Sequence, residues 1–210
     1  MLLLRVPGLL LFLVAGIQST TPQGLSTFRS IPFDTALVMA ATPTLSIDLE
    51  TGGNLRIIGG TSRVLRVHVT GGRLCADCGV AVSHTGTSVQ VRTRRGMPNG
   101  GPANLQVEIE VPVQVNVELT SAGGGVEIEG IDGTLTGTTQ SGALSLRRIS
   151  GAVELQTRRG DVTLRESYVS GLLRTFDGRV LFEDVGGSVE GSSARGRVIK
   201  RRVERAPSRS

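Results

Sequence analysis

Apolar and polar positions alternate along much of this chain, and from about Val117 to Val198 the alternation is itself periodic. Val126, Leu144, Val162, Val180 and Val198 recur every 18 residues, and two places after them stand Ile128, Leu146, Leu164, Phe182 and then Lys200. Apolar residues at every second position, with polar ones between, mark a strand with one buried face. The same alternation runs through Val117 and Leu119 and through Val153 and Leu155, with Leu135 and Val189 in phase. A fixed period predicts stacked copies of one small unit, since no copy can bury its apolar face alone.

Glycines and hydroxyls keep the same beat. Gly124, Gly142, Gly160, Gly178 and Gly196 lie 18 residues apart, and Ser121, Thr139, Thr157, Thr175 and Ser193 stand three places before them. Gly133, Gly151 and Gly187 fall halfway between, which makes nine residues the underlying unit. Ser167 and Tyr168 read as a two-residue insertion that moves the expected glycine from Val169 to Gly171. Each period then predicts two short strands and two glycine corners, with inward hydroxyls bonding the turning backbone. The expected fold is all-β, a β-solenoid or flattened β-roll; an antiparallel β-sandwich of similar short strands is the alternative.

Before the repeat, strands are predicted without that register. Leu45-Ile47-Leu49 and Leu55-Ile57 alternate across Gly52-Gly53, and Val64–Val69, Ser88–Thr93 and Leu105–Val117 follow. Pro112 implies an edge, bulge or corner within the last of these. Arg94–Asn104, with two prolines and three glycines, predicts an exposed loop.

The N-terminus carries a different signal. An apolar run from Leu9 to Ile17 follows Arg5, too short to span a bilayer comfortably, and reads as a secretory signal ending near Ser19. The expected organisation is a signal and linker over 1–25, one β-repeat domain over 26–198, and a basic, disordered tail over 199–210. The mature chain is expected in the periplasm, at the cell surface or outside the cell, with no membrane span; an uncleaved N-terminal anchor is the alternative.

Composition narrows the function classes. Aromatic residues make up 3% of the 210 residues against 29 glycines, so the core must be aliphatic and the corners many. The net charge of +5 comes from arginine, since Lys200 is the only lysine. With no Trp and only Tyr168, the chain lacks the stacking platforms that bind single-stranded nucleic acid.

Cys75 and Cys78 form a C-x-x-C with three readings: a local disulfide in an exported protein, unpaired thiols, or a metal or redox centre. Zinc needs four ligands, and only His68 and His84 could complete the set; Gly79 stands where haem attachment would need histidine. No aspartate recurs after the glycines, as a calcium-binding β-roll would require. Glu127 with Glu129, and Glu183 with Asp184, are carboxylate pairs of the type glycosidases use, but they read as solvated surface charge. The outward series Glu129, Arg147, Arg165 and Glu183, continued by Arg201, is the candidate binding face; a second runs Thr120, Thr138, Gln156, Arg174, Ser192. Neither catalytic residues nor a cofactor or metal ion is expected.

The segments TGGNLRIIGG, LQVEIEVPVQVNVELTSAGGGVEIEGIDG, GTTQSGALSLRRISG, LQTRRGDVTL and FDGRVLFEDVGG resemble the bacterial DUF4097 family of candidate adhesins, over roughly residues 44–198. The resemblance implies an exported, β-solenoid-like envelope protein and brings no catalytic residues with it. The expected function is an adhesin-like or structural binding module whose partner is an envelope protein or polysaccharide. A polysaccharide-active β-helix enzyme and an envelope regulatory or sensory partner are the alternatives.

Overall fold

The computed structural model describes residues 33–39, 42–71, 79–94 and 105–205. The expected signal segment, Cys75 and Cys78, residues 95–104 of the expected loop and residues 206–210 lie outside the described residues.

The described chain is all-β. Its strands are β1 (Phe33–Val38), β2 (Thr44–Leu49), β3 (Asn54–Gly60), β4 (Val64–Thr70), β5 (Gly79–Thr85), β6 (Ser88–Arg94), β7 (Gln106–Pro112) and β8 (Asn116–Ser121). They continue with β9 (Val126–Glu129), β10 (Asp132–Thr139), β11 (Leu144–Arg147), β12 (Ser150–Arg159), β13 (Val162–Asp177), β14 (Val180–Ser193) and β15 (Val198–Arg205). All fifteen belong to one hydrogen-bonded sheet.

Within that sheet two parallel ladders can be followed. One runs β6, β2, β8, β10, β12 and the C-terminal parts of β13 and β14; the other runs β7, β3, β9, β11, the N-terminal parts of β13 and β14, and β15. Among β8 to β15 every pairing of one strand with another is offset by 18 residues: Leu135 pairs with Val117 and Val153, and Val162 with Leu144 and Val180. That spacing is unbroken at Val169, which sits opposite Gly151, and at Gly171, opposite Val153. No insertion exists there. The glycine has moved along a strand whose register is fixed by its buried neighbours Val169 and Leu173.

Only one of the two corners depends on a glycine column. Between β10 and β11, and at the equivalent place in the later units, Gly142, Gly160 and Gly178 have positive φ, and a Cβ on Gly160 would lie 2.1 Å from the Gly142 carbonyl oxygen. Backbone packs directly on backbone there, so no side chain fits. The second bend falls at Gly130, Arg148, Glu166, Asp184 and Arg202, with φ of 72°, 52°, 49°, 55° and 48°. Each is followed by an inward anchor: Ile131, Ile149, Ser167 and Val185 are buried and Val203 is half-buried. The half-period glycines Gly133, Gly151 and Gly187 stand three residues later, already inside β10, β12 and β14.

Residues 199–205, expected in a disordered tail, form most of β15. Val198, Ile199 and Val203 keep the apolar alternation, and Val198 pairs with Val180 and Val203 with Val185 after the glycine column has ended. The strand pattern carries the ladder on past the last glycine of the column.

The N-terminal strands join the same ladders out of chain order. Leu45 in β2 lies between Val89 in β6 and Val117 in β8, and Leu55 in β3 lies between Val107 in β7 and Val126 in β9. Beyond them the pairing turns antiparallel: β4 on β7, β1 on β4, and β5 on β6. Pro112 is the last residue of β7, at a chain corner where its missing N–H is harmless.

Inward side chains of both ladders form one aliphatic core cluster. Its largest member, Phe182, continues the column of Ile128, Leu146 and Leu164. Opposite, the column of Leu155 and Leu173 ends in Gly191, where a Cβ would lie 2.4 Å from the Phe182 ring. A large residue on one wall is matched by the smallest on the other, which keeps the interior at constant volume.

Candidate binding face

The hydroxyl column lies inside. Ser121, Thr139, Thr157 and Thr175 are buried, and Ser193, nearest the C-terminal end, is half-buried. Thr139 Oγ1 donates to Thr157 Oγ1 at 2.9 Å, and Thr157 Oγ1 donates to the Arg159 carbonyl at 3.2 Å. Thr175 Oγ1 donates to the Gly160 carbonyl at 2.9 Å, and Ser193 Oγ to the Gly178 carbonyl at 2.7 Å. Ser121 Oγ donates to the Gly123 carbonyl and accepts from its N–H. These groups stitch the glycine corner and present nothing to a ligand.

The outward series Glu129, Arg147, Arg165, Glu183 and Arg201 does form one column in register. The second bend sets Arg148, Glu166, Asp184 and Arg202 beside it. Two ion-pair runs result. In the first, Glu129 receives Arg148 at 2.7 Å and Arg147 at 3.9 Å, while Arg147 also holds Glu166 through Nε and Nη2 at 3.1 and 3.0 Å. In the second, Arg165 reaches Glu183 at 3.0 Å, and Arg202 reaches Glu183 at 3.9 Å and Asp184 at 2.5 Å.

Glu129 and Glu183 are the sheltered members, with side chains 25% and 24% exposed against about half or more for their arginines. The face therefore shows guanidinium groups outward over carboxylates. The Arg147 guanidinium, hydrogen-bonded to Glu166, holds that carboxyl below its ordinary range, and Glu166 in turn raises Arg147. Asp161 is lowered in the same way by the side chain and then the N–H of Arg179. Exposed pairs of this kind add little to stability, because water and salt screen them.

A groove of about 380 Å³ lies on the outer face of β4, β7, β3 and β9, lined by polar side chains that include Asn54, Arg56, His68, Gln106, Glu108 and Glu127. Arg56 sits between Glu108 at 3.9 Å and Glu127 at 3.8 Å. Asn54 Oδ1 accepts the Gly125 N–H at 3.0 Å, which ties the floor of the groove to the next turn. Continuing from Glu127 along the same column stand Ser145, Thr163, Leu181 and Ile199. The outer face thus grades from charged through hydroxylic to apolar along the stack.

Sequence reasoning placed the columns but missed both the second bend and the groove. The bend did leave a signal: inward Ile128 is followed by inward Ile131, a parity break repeated at Leu146/Ile149, Leu164/Ser167 and Phe182/Val185. The groove left none, because it joins β4, β7, β3 and β9 across unrelated sequence distances. The carboxylates considered as catalytic pairs are each engaged by arginine: Glu127 by Arg56, Glu129 by Arg147 and Arg148, Glu183 by Arg165, and Asp184 by Arg202. Among the described residues no three His, Cys, Asp or Glu are gathered to hold a metal ion.

No protein-family model matches this chain, and no curated protein matches it. Among solved structures it is similar to a candidate cell adhesion protein from Clostridium sporogenes ATCC 15579, at 9% identity over 81% of this chain and 99% of that one, with a TM-score of 0.42. A candidate adhesin from Parabacteroides distasonis ATCC 8503 is similar at 10% identity over 83% and 96% of the two chains, with a TM-score of 0.31. A candidate lipid-binding protein from the same organism is similar at 12% identity over 86% and 98%, with a TM-score of 0.29.

Proposed function

We propose that this chain is a non-enzymatic β-solenoid of the bacterial envelope, an adhesin-like binding module of the DUF4097 type. Parallel ladders with one constant 18-residue offset support the solenoid over the antiparallel sandwich. The observation that carries the binding reading is where the polar groups are used. Inward hydroxyls are bonded to corners and corner charges to one another, whereas Asn54, Arg56, His68, Gln106, Glu108 and Glu127 line an open groove on the sheet. Rigid grooves lined by Asn, Gln, Arg and carboxylates offer the planar hydrogen-bonding groups that fix polar, hydroxyl-rich ligands such as polysaccharide. Export rests on the apolar run Leu9–Ile17 behind Arg5.

Cell fractionation with N-terminal sequencing tests location: a mature N-terminus before about residue 26 in an envelope or extracellular fraction is expected, and an intact Met1 in the cytoplasm overturns export. Co-sedimentation of the purified chain with isolated cell-wall polysaccharide tests binding. Retention by wild type and loss in Arg56→Ala is expected; equal retention of both, or none by either, overturns the groove as the contact site.

A further inference from the structure

The two ends of the ladders are finished differently. At one end antiparallel strands lie across them, β4 and β1 beyond β7 and β5 beyond β6. At the other, β15 continues the parallel register and, among the described residues, pairs with β14 alone. Among the described residues its outer edge therefore carries unpaired backbone donors and acceptors, the template on which another strand adds.

That end is also chemically distinct. Val198 is 39% exposed although its column partner Val180 is fully buried, so the core is uncovered there. Leu181 and Ile199 stand half-buried side by side on the outer face. Lys200 occupies the column of Ile128, Leu146, Leu164 and Phe182, and its ammonium lies 5.6 Å from the Phe182 ring centroid, over the last inward ring. Arg201 and Arg202 follow; Arg202 is held by Asp184 and Glu183, while Lys200 and Arg201 have no acidic partner within ion-pair distance among the described residues.

We propose that the β15 edge accepts an extended, acidic segment of a partner protein as the next parallel or antiparallel strand. Apolar side chains of that segment would cover Val198, Leu181 and Ile199, and carboxylates would meet Lys200 and Arg201. A second copy is disfavoured as the occupant, because edge-to-edge pairing of two β15 strands sets these cations against their own counterparts.

The test measures fluorescence anisotropy of labelled synthetic peptides of about eight residues titrated with the full chain. One repeats Val-Val-Glu-Glu, so that each face of the strand carries both apolar and acidic side chains as β15 carries apolar and basic ones; one repeats Val-Val-Lys-Lys; and one repeats the Glu/Val sequence with every amide N-methylated, so that it keeps its charge but neither edge can donate to a strand. Saturable binding of the Glu/Val peptide is expected, weakened at least about tenfold by N-methylation or by replacing Glu with Lys. Lys200→Glu/Arg201→Glu should lose Glu/Val binding and gain the Lys/Val peptide, while Arg158→Glu, exposed away from the edge, should change neither. No saturable binding, equal binding of the N-methylated peptide, or an equal loss in Arg158→Glu overturns the proposal. So does a concentration-dependent dimer in sedimentation that Lys200→Glu/Arg201→Glu abolishes, which would make a second copy the occupant. The N-methylation arm uses the unaltered chain and stands even where the double variant misfolds.

Discussion

Leu164 finds its ladder neighbours at Leu146 and Phe182, each 18 residues away; Ile57 finds its own at Ile109 and Ile128, 52 and 71 residues away. Both are fully buried in the same core cluster and both sit in parallel ladders. The C-terminal half builds the stack in chain order, each turn laid on the one before. The N-terminal half reaches the same geometry by inserting β2 and β3 between turns made later in the sequence. Periodicity is thus a property of chain order, while the packing rule of inward aliphatics at alternate positions is common to both halves.

The largest expected effects test whether the halves share one core. Val162→Asp puts an unpaired carboxylate at a fully buried site and should remove more than about 4 kcal/mol, enough to unfold the domain at ordinary temperatures. Ile57→Asp should be equally severe and should melt the C-terminal half with it. Thr163→Asp, on the outer face beside Val162, should shift the melting temperature by only a few degrees. Thermal melts of the three decide: a biphasic Ile57→Asp melt would split the core in two, and a Thr163→Asp loss as large as that of Val162→Asp would refute the register.

Glycine separates the two halves next. Gly160→Ala forces a Cβ onto the Gly142 carbonyl at φ +135° and should lose roughly 2–4 kcal/mol by denaturant unfolding. Gly86, in the hairpin between β5 and β6, has φ +59° but open space around its Cβ position. Gly86→Ala should therefore lose only about 1 kcal/mol, the conformational part alone. Equal losses would mean that backbone contact between turns does not govern the column.

This contrast also explains what was legible in the sequence. Inward parity in the repeat could be read directly, since Val126, Leu144, Val162 and Val180 announce one another at constant spacing. In the N-terminal half Leu45-Ile47-Leu49 and Leu55-Ile57 were recognisable as strands, but no residue in them says that they belong between β6–β7 and β8–β9. That placement is set by which edges remain after the rest of the stack forms, a long-range property with no local signature. The second bend was hidden for another reason. Left-handed backbone normally advertises itself by Gly or Asn, whereas here Arg148, Glu166, Asp184 and Arg202 adopt it and their neighbours hold them there.

A smaller effect tests that bend. Arg148→Gly relieves an unfavourable φ while losing an exposed ion pair to Glu129, so stability should stay within about 1 kcal/mol of wild type. Arg148→Val places a β-branched side chain at the same φ of 52° and should cost about 1–2 kcal/mol. If valine proves as well tolerated as glycine, the bend is not held in the left-handed region.

The smallest effect concerns surface charge, where one pair from each half differs in geometry. Arg179 grips Asp161 with Nε at 3.1 Å, Nη2 at 2.7 Å and its own N–H at 2.8 Å. Arg56 approaches Glu108 and Glu127 only at 3.9 and 3.8 Å. Asp161 is held below its ordinary range in the folded state, so its pair stabilises the fold at pH above the unfolded carboxyl range. That stabilisation fades as pH falls through the depressed folded value, where the carboxylate becomes protonated. Glu166, lowered by Arg147, follows the same sign. Arg179→Ala should let the Asp161 carboxyl titrate closer to its ordinary range in an NMR titration, with a slight loss of stability at neutral pH that narrows in acid. Arg56→Ala should change stability less still, because longer contacts in water are largely screened. An Arg56→Ala loss exceeding that of Arg179→Ala would reverse the order and make the groove, rather than the repeat, the place where surface charge supports the fold.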